Sequence, residues 1–400
     1  MNGIPDFNVL LAAYCKAADP ALTQQQIGVQ ANLGTQAQVS RLLADARSRG
    51  YLREVFEFPQ DMPQDTRDQL RRQFEQAIFK PHADLEAALI KLAEELCGTR
   101  YDGGSPFKRL HVVPAPGLHD GDDKAREEAF SAFGANAAEI VASYIDEADS
   151  CCVAWCRTIN ATVRHIRSRA KPPEHKKTFM PIAGEPTNFE PNGVSPSDAA
   201  RTLANAWRGS RALSLRGVQA RIPKEVYDHD EHKIALELAN YSDDYREIFG
   251  TDSPLINRVA MILTGIGDVR TSSRADERPD QADPWYRETA QAEKSETAEA
   301  DDPDVLNLAV GNLGGVWLPQ DEKNRGKVEQ VNDRWLGARL AHFRRCSLNA
   351  VPGQRPGVVV LAVEPEKAGI IREALYLVNV LVVSRELAET LAGELLGERG

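Results

Sequence analysis

Apolar residues recur along this chain at two periods, and the point where one replaces the other divides it. Residues 4–18 carry apolar positions at helical spacing, and 69–97 do so again at Phe74, Ile78, Leu85, Leu89, Leu92 and Leu96. Pro81 splits that second stretch into a linker helix and the start of the body, the latter at a subunit interface or packed within one chain. From Leu110 short apolar runs alternate with helical patterns, the signature of a mostly parallel, doubly wound α/β sheet. The runs predict strands over 110–115, 150–155, 178–183, 259–266, 306–310, 357–363 and 378–383. Helices are predicted over 123–147, 158–168, 195–208, 227–239, 333–343, 365–375 and 384–396. GVVVLAV and NVLVV are apolar without alternation, as strands buried on both faces must be. Residues 270–304 break the rhythm. They are charged and poor in aliphatics, which reads as a mobile surface insertion, with a lid as the alternative because Trp285 and Tyr286 stand in their middle.

Between the helical stretches lies TQQQIGVQANLGTQAQVSRLLADARSRGYL, residues 23–52. Thr23 is placed to cap one helix with Gln26 reaching back to it, and Thr35 and Gln38 repeat the arrangement for a second. Val39, Leu42, Leu43 and Ala46 then share one face, leaving Gln36, Gln38, Ser40 and Arg41 on the other. Such side chains donate to phosphates and read base edges, Gln suiting adenine and Arg guanine. Thr23, Thr35, Gln36, Gln38, Ser40 and Arg41 are therefore the candidate DNA contacts. Gly50 stands where a helix ends, and YLREVFEFP alternates like the strand of a wing. A helical hairpin with a solvated polar face has the same periodicity. Gly28 sits inside the first helix, where glycine costs ~1 kcal/mol relative to alanine.

Charge changes this picture only locally. The chain has a net charge of −11, yet residues 1–53 hold five basic side chains against three acidic ones. A slightly basic head on an acidic body can bind DNA at the head alone. No apolar run approaches the roughly 18 residues of a membrane span. The first twenty residues carry no basic region of the kind that opens a secretory signal. Six cysteines without metal-ligand spacing suit a reducing cytoplasm, and Cys151, Cys152 and Cys156 read as structural thiols. Nothing in the sequence asks for a cofactor or a metal.

In doubly wound sheets, ligands sit where strands end and helices begin. Five loops fall there. Cys156, Arg157 and Thr158 follow one strand and open a helix, offering backbone N–H groups, a hydroxyl and a guanidinium to an anion, without the glycines of a P-loop. Gly184 and Glu185 end another strand, Gly265, Gly267 and Asp268 a third, and Asn312 lies in the glycine-rich AVGNLGG. Lys367 is placed in the first turn of a helix, where a cation opposes the dipole unless an anion binds nearby.

Taken in order, LTQQQI, QVSRLLADARSRGYL, VAWCRTINATV, MPIAGEP, LTGIGD, AVGNLGG and VEPEKAGIIREALYLVNVLVVS resemble the SorC family of sugar-responsive regulators. The resemblance spans most of the chain and is strongest over 23–52 and 357–388. It implies a winged helix-turn-helix over 1–58, a helical linker over 59–82 and a sugar-binding effector domain over 83–400, related to sugar-phosphate isomerases. It also implies a homodimer or homotetramer on a double-stranded operator, with a small carbohydrate or sugar phosphate as effector. By the same resemblance, Cys156, Arg157 and Thr158 match a glycine-arginine-threonine loop near the effector phosphate. Lys367 matches a lysine contacting that phosphate, and Asn312 stands where an aspartate holds sugar hydroxyls. The chain departs from the pattern in Cys156, in Asn312, in Gly28 where alanine is usual, and in one extra residue between Ile27 and Val39.

Two functions follow. One is a non-enzymatic transcriptional regulator whose operator affinity an effector controls. The other is a sugar-phosphate isomerase or hydrolase, which needs an acid–base pair at the sheet edge. Glu185 and Asp268 are the carboxylates placed for that, and His165, His175, His229 and His232 lie outside the motif loops. A scaffold role explains neither the capped helices nor the glycine-rich loops.

Overall fold

The structure, a computed structural model, describes residues 7–19, 22–48, 64–100, 105–118, 123–168, 176–185, 195–222, 226–227, 232–252, 254–268 and 308–397. The expected wing over 51–58 and the insertion over 270–304 lie outside these residues.

Three helices form the head: α1 (Phe7–Ala18), α2 (Gln24–Gln30) and α3 (Gln36–Ser48). Both sequence-predicted capping boxes are present. Thr23 N donates to Gln26 Oε1 at 2.8 Å and Gln26 N to Thr23 Oγ1 at 3.2 Å. Thr35 N donates to Gln38 Oε1 at 2.7 Å and Gln38 N to Thr35 Oγ1 at 3.4 Å. The turn between α2 and α3 absorbs the extra residue by two left-handed positions, Asn32 (φ 53°) and Gly34 (φ 86°). Leu33 N closes back on Gly28 O at 3.0 Å, the long bond of a Schellman motif with Asn32 as its αL residue. Gly28 has a steric reason: a Cβ there would run into the Gly34 carbonyl oxygen and reach Val39 Cγ2 at 3.3 Å. Glycine thus lets α2 lie directly on the turn and on α3.

Helices α4 (Gln64–Ile78) and α5 (His82–Arg100) follow, separated at Pro81 as expected. The body is a sheet in the order β1-β9-β8-β5-β2-β3-β4, all parallel. Its strands are β1 (Arg109–Val113), β2 (Ser150–Val153), β3 (Thr178–Pro181), β4 (Arg211–Ala212), β5 (Met261–Asp268), β8 (Gly357–Ala362) and β9 (Val380–Ser384). Two antiparallel strands, β6 (Ala309–Leu313) and β7 (Val316–Pro319), extend the end of β5 as a hairpin. Helices α6 (Asp123–Glu147), α7 (Arg157–His165) and α8 (Pro196–Ala206) come first around the sheet. They are followed by α9 (His232–Asn240), α10 (Asp243–Phe249), α11 (Arg325–Asp333), α12 (Leu340–Leu348), α13 (Ala368–Ala374) and α14 (Arg385–Leu396). No helix among the described residues is long and apolar enough to cross a membrane.

Alternate strand residues feed two cores. Val358 and Val360 join an apolar cluster that runs without a break to Phe74, Val39 and Leu10 in the head. Val359 and Leu361 join the cluster under α6, α7 and α8. The two ends of the β1-to-β4 order are short or partly engaged. β4 has two residues, with Arg211 paired to Glu247, and at the other edge the Leu110 N–H of β1 donates to Glu86 of α5 at 2.8 Å.

Three expected elements differ. The helix over 333–343 is two helices, because Arg221 bridges to Trp335 and Ala183 to Gly337, pulling 334–338 out into extended backbone. The strand over 306–310 begins instead at Ala309 and turns at Gly314 and Gly315, whose φ values of 59° and 93° favour glycine. The helix expected over 227–239 is described from His232.

Candidate functional site

On the head, α3 buries Val39, Leu43 and Ala46 against α1 and α2 and exposes Gln36, Ser40 and Arg41. Thr23, Thr35 and Gln38 are exposed too, but the caps engage them: Gln38 Oε1 accepts from both the backbone N–H and the hydroxyl of Thr35. With Oε1 engaged in the cap, a bidentate contact from Gln38 to adenine requires the cap to open.

In the body, β2 ends at Val153 and the chain turns into α7 with Cys156 as its N-cap, Sγ accepting from Ile159 N at 3.5 Å. Cys156 fits there because β5 carries Gly265: a Cβ on Gly265 would strike that sulphur. Gly267 lies two residues on, facing the same way, and Asn312 of β6 is directly opposite Gly267 in the antiparallel pair. Cys156, Gly265, Gly267 and Asn312 therefore share one face at the carboxyl end of the sheet. Asn312 is 1% exposed; its Oδ1 accepts from Gly315 N at 3.1 Å, and its Nδ2 has no hydrogen-bond partner among the described residues. A buried donor without a partner costs roughly 1–3 kcal/mol, which a ligand acceptor would recover.

Next to this face is a charge cluster that the sequence shows only in part. Glu364, just past β8, is buried, and three cations surround it. Lys367 Nζ lies 2.9 Å from Oε2, Arg157 3.8 Å from Oε1, and Arg126 of α6 hydrogen-bonds Oε1. Burial alone would raise the Glu364 carboxyl, but Lys367, Arg157 and Arg126 together hold it down at about 2. Arg157 also lies over the Phe130 ring, 5.0 Å from its centroid, which fixes its plane. Three positive charges on one carboxylate leave an excess of two beside the amino end of α7, a setting for a dianion. Lys367 belongs to a short 3-10 turn, Pro365–Lys367, ahead of α13 rather than to the first turn of that helix. Its first counter-charge is Glu364, so the dipole argument for a bound anion does not hold by itself. The excess over the whole cluster replaces it.

The remaining sequence candidates lie apart or carry less. Thr158 is buried in the first turn of α7, its carbonyl accepting from Thr162 Oγ1 at 2.9 Å. Asp268 closes β5 with its backbone opposite Gly311. Gly184 and Glu185 lie just past the end of β3, which β2 and β5 separate from β8, and the Glu185 backbone is tied to 218–220. Burial raises the Glu185 carboxyl, with Ser195 and Ser197 beside it. Arg126 and Glu364 were not singled out from the sequence. Glu364 offered a signal, a carboxylate three residues before Lys367 at a strand end; Arg126 offered none. No group of histidine, cysteine and carboxylate side chains among the described residues is arranged to hold a metal ion.

Neither a family model nor a curated protein matches this chain. Among solved structures, the full-length sorbitol operon regulator SorC from Klebsiella pneumoniae is similar over 97% of this chain and 99% of its own, with a TM-score of 0.51 at 17% sequence identity. A DeoR family transcriptional regulator from Listeria monocytogenes aligns over 78% of this chain and 99% of its own, with a TM-score of 0.48 and 18% identity. The probable sor operon regulator from Shigella flexneri aligns over 75% and 98%, with a TM-score of 0.46 and 15% identity. The first of these likenesses shows the fold, shared over 97% of this chain.

Proposed function

We propose that this chain is a DNA-binding transcriptional regulator whose operator affinity is set by a small phosphorylated carbohydrate bound at the carboxyl edge of the sheet. The observation that carries the reading is the cluster of Lys367, Arg157 and Arg126 on Glu364. It stands beside the orphaned Asn312 amide, in a chain that also presents a doubly capped helix-turn-helix. The cationic excess suits a phosphate, and the Asn312 donor suits a hydroxyl.

On the DNA side, Gln36, Ser40 and Arg41 point outward from α3 for the major groove, with Arg41 suited to guanine. Thr23 and Thr35 stand at the helix starts that approach phosphates, their N–H and hydroxyl groups held by the Gln26 and Gln38 side chains. A single helix-turn-helix reads one half-site, so two copies read an operator whose half-sites lie about one helical turn, ~34 Å, apart. The effector acts by binding one quaternary arrangement better than another.

Purified full-length chain should shift DNA from upstream of its own coding region, and phosphorylated aldoses, ketoses or polyols should change that shift and raise the melting temperature. Failure of Arg41→Ala to weaken DNA binding would show that α3 is not the reading helix. A panel of sugar phosphates that leaves both the melting temperature and the DNA affinity unmoved would sink the sensing half. Measurable turnover of any of them would move the reading towards an isomerase.

A further inference from the structure

Glu75 is 1% exposed on α4, and two imidazoles converge on it. His111 Nδ1 of β1 is 2.7 Å from Oε1, and His82 Nε2 of α5 is 3.4 Å from Oε2. His111 Nε2 in turn lies 2.8 Å from the hydroxyl of Tyr144 on α6. Burial pushes the Tyr144 phenol up, so it keeps its proton and donates to Nε2. Burial also lowers His111, against the pull of Glu75, which favours the ring with Nδ1 donating to the Glu75 side chain and Nε2 accepting from Tyr144. The result is a directed relay, Tyr144 to His111 to Glu75, joining α6, β1 and α4.

The same buried stripe of α4 also meets the head. Phe74, next to Glu75, meets Tyr14 of α1 edge to face with ring centroids 4.7 Å apart, and Arg71 hydrogen-bonds Tyr14. The one buried stripe of α4 is therefore held by the head and by the sheet together. Apolar area alone would grip it without fixing its rotation; short hydrogen bonds in a low-dielectric interior fix register and angle. Helix α6 adds a second connection. It carries Arg126, on Glu364, near its start and Tyr144 near its end, 18 residues on, which is about 27 Å along the helix axis.

We propose that the Tyr144–His111–Glu75 relay is the joint that sets the orientation of the head on the body, and that α6 couples this joint to the cationic cluster. The head's orientation then depends on the state of the cluster through one rigid element with an engaged side chain at each end. Tyr144, His111 and Glu75 are positioning residues. The inference deepens the regulatory reading and rests on it for the meaning of the head, though not for the joint itself.

Hydrogen exchange on the full-length chain tests it. Tyr144→Phe should speed exchange of the 64–78 amides about tenfold, the loss expected for a hydrogen bond in a charged relay, while β8 and β9 stay protected. Arg126→Gln should alter exchange over 64–78 in the otherwise unchanged chain and have no such effect when Tyr144→Phe is already present. That non-additivity is what coupling requires; a merely structural tyrosine gives additive changes. Additive effects, or an Arg126→Gln chain whose 64–78 amides exchange as before, would overturn the proposal. Should Tyr144→Phe fail to fold, Glu75→Gln supplies the same cycle. DNA binding is read separately. A chain that shows the coupling but never shifts DNA upholds the joint and overturns only the assignment of the head.

Discussion

Lys367 Nζ lies 2.9 Å from Glu364 Oε2, three residues back along the chain, so this cation of the sheet edge is paired from within. The same carboxylate also receives Arg157 and Arg126. Affinity for an anion at this edge is thus the difference between three cations and one built-in competitor. Removing the competitor and removing a cation should act in opposite directions. Glu364→Gln is expected to tighten binding of inorganic phosphate by about tenfold at low salt, and Lys367→Met to weaken it by a similar factor. Isothermal titration against phosphate reads both. Two variants moving in the same direction would show that the cluster does not face the anion.

Glu364 also makes a stability prediction in acid. Its carboxyl is held near 2 against an ordinary 4.5. The folded value is the lower one, so the stabilisation is complete above about 4.5 and is lost as pH falls towards 2. Its size is about 3 kcal/mol if the unfolded group is unperturbed. Denaturant midpoints measured from pH 6 downwards should fall more steeply for the unaltered chain than for Glu364→Gln. Parallel curves would place the acid sensitivity elsewhere.

Gly28→Ala sets local propensity against packing. In an isolated helix the change is favourable by ~1 kcal/mol. Here the new methyl meets the Gly34 carbonyl oxygen and Val39, and forcing α2 away from the turn costs roughly 1–3 kcal/mol. Faster exchange of the 24–30 and 36–48 amides is the expected outcome. Unchanged or slower exchange would mean that the turn yields freely.

Gly265→Ala should displace Cys156 and weaken phosphate binding at the adjacent cluster, because its methyl and the cysteine sulphur occupy the same space. Adding Cys156→Gly restores the room and should restore binding, at the cost of the sulphur cap on α7. If the double variant binds no better than Gly265→Ala alone, the two positions do not share a face.

How much of this was written in the chain differs by element. Val358 to Ala362 could only be a strand buried on both faces, and Thr23 and Thr35 announced their helices three residues ahead of the glutamines that complete the caps. The stretch at Trp335 was opaque. Its apolar residues continue the spacing of the neighbouring helix, and what breaks that helix is Arg221 and Ala183, more than a hundred residues upstream. At the site, Arg157 and Lys367 could be read from their places after strands, whereas Arg126 reaches Glu364 from the start of a long helix whose pattern marks no residue as special. The Glu75 relay had half a signal. Arg71, Phe74, Glu75 and Ile78 share the buried stripe of α4, so two charges sat where apolar residues were due. Nothing local names His111, 36 positions away, as the partner.

The two ends of the sheet have a consequence for assembly. A strand from another chain needs a row of free N–H and C=O groups to pair with. One edge of this sheet is a two-residue strand flanked by an arginine–glutamate pair, and at the other edge a glutamate of α5 occupies the Leu110 N–H. These two edges therefore offer few free backbone groups for a strand from another copy. Contacts between helices and loops, which can slide or rotate without breaking a backbone ladder, are favoured over strand addition at these two edges.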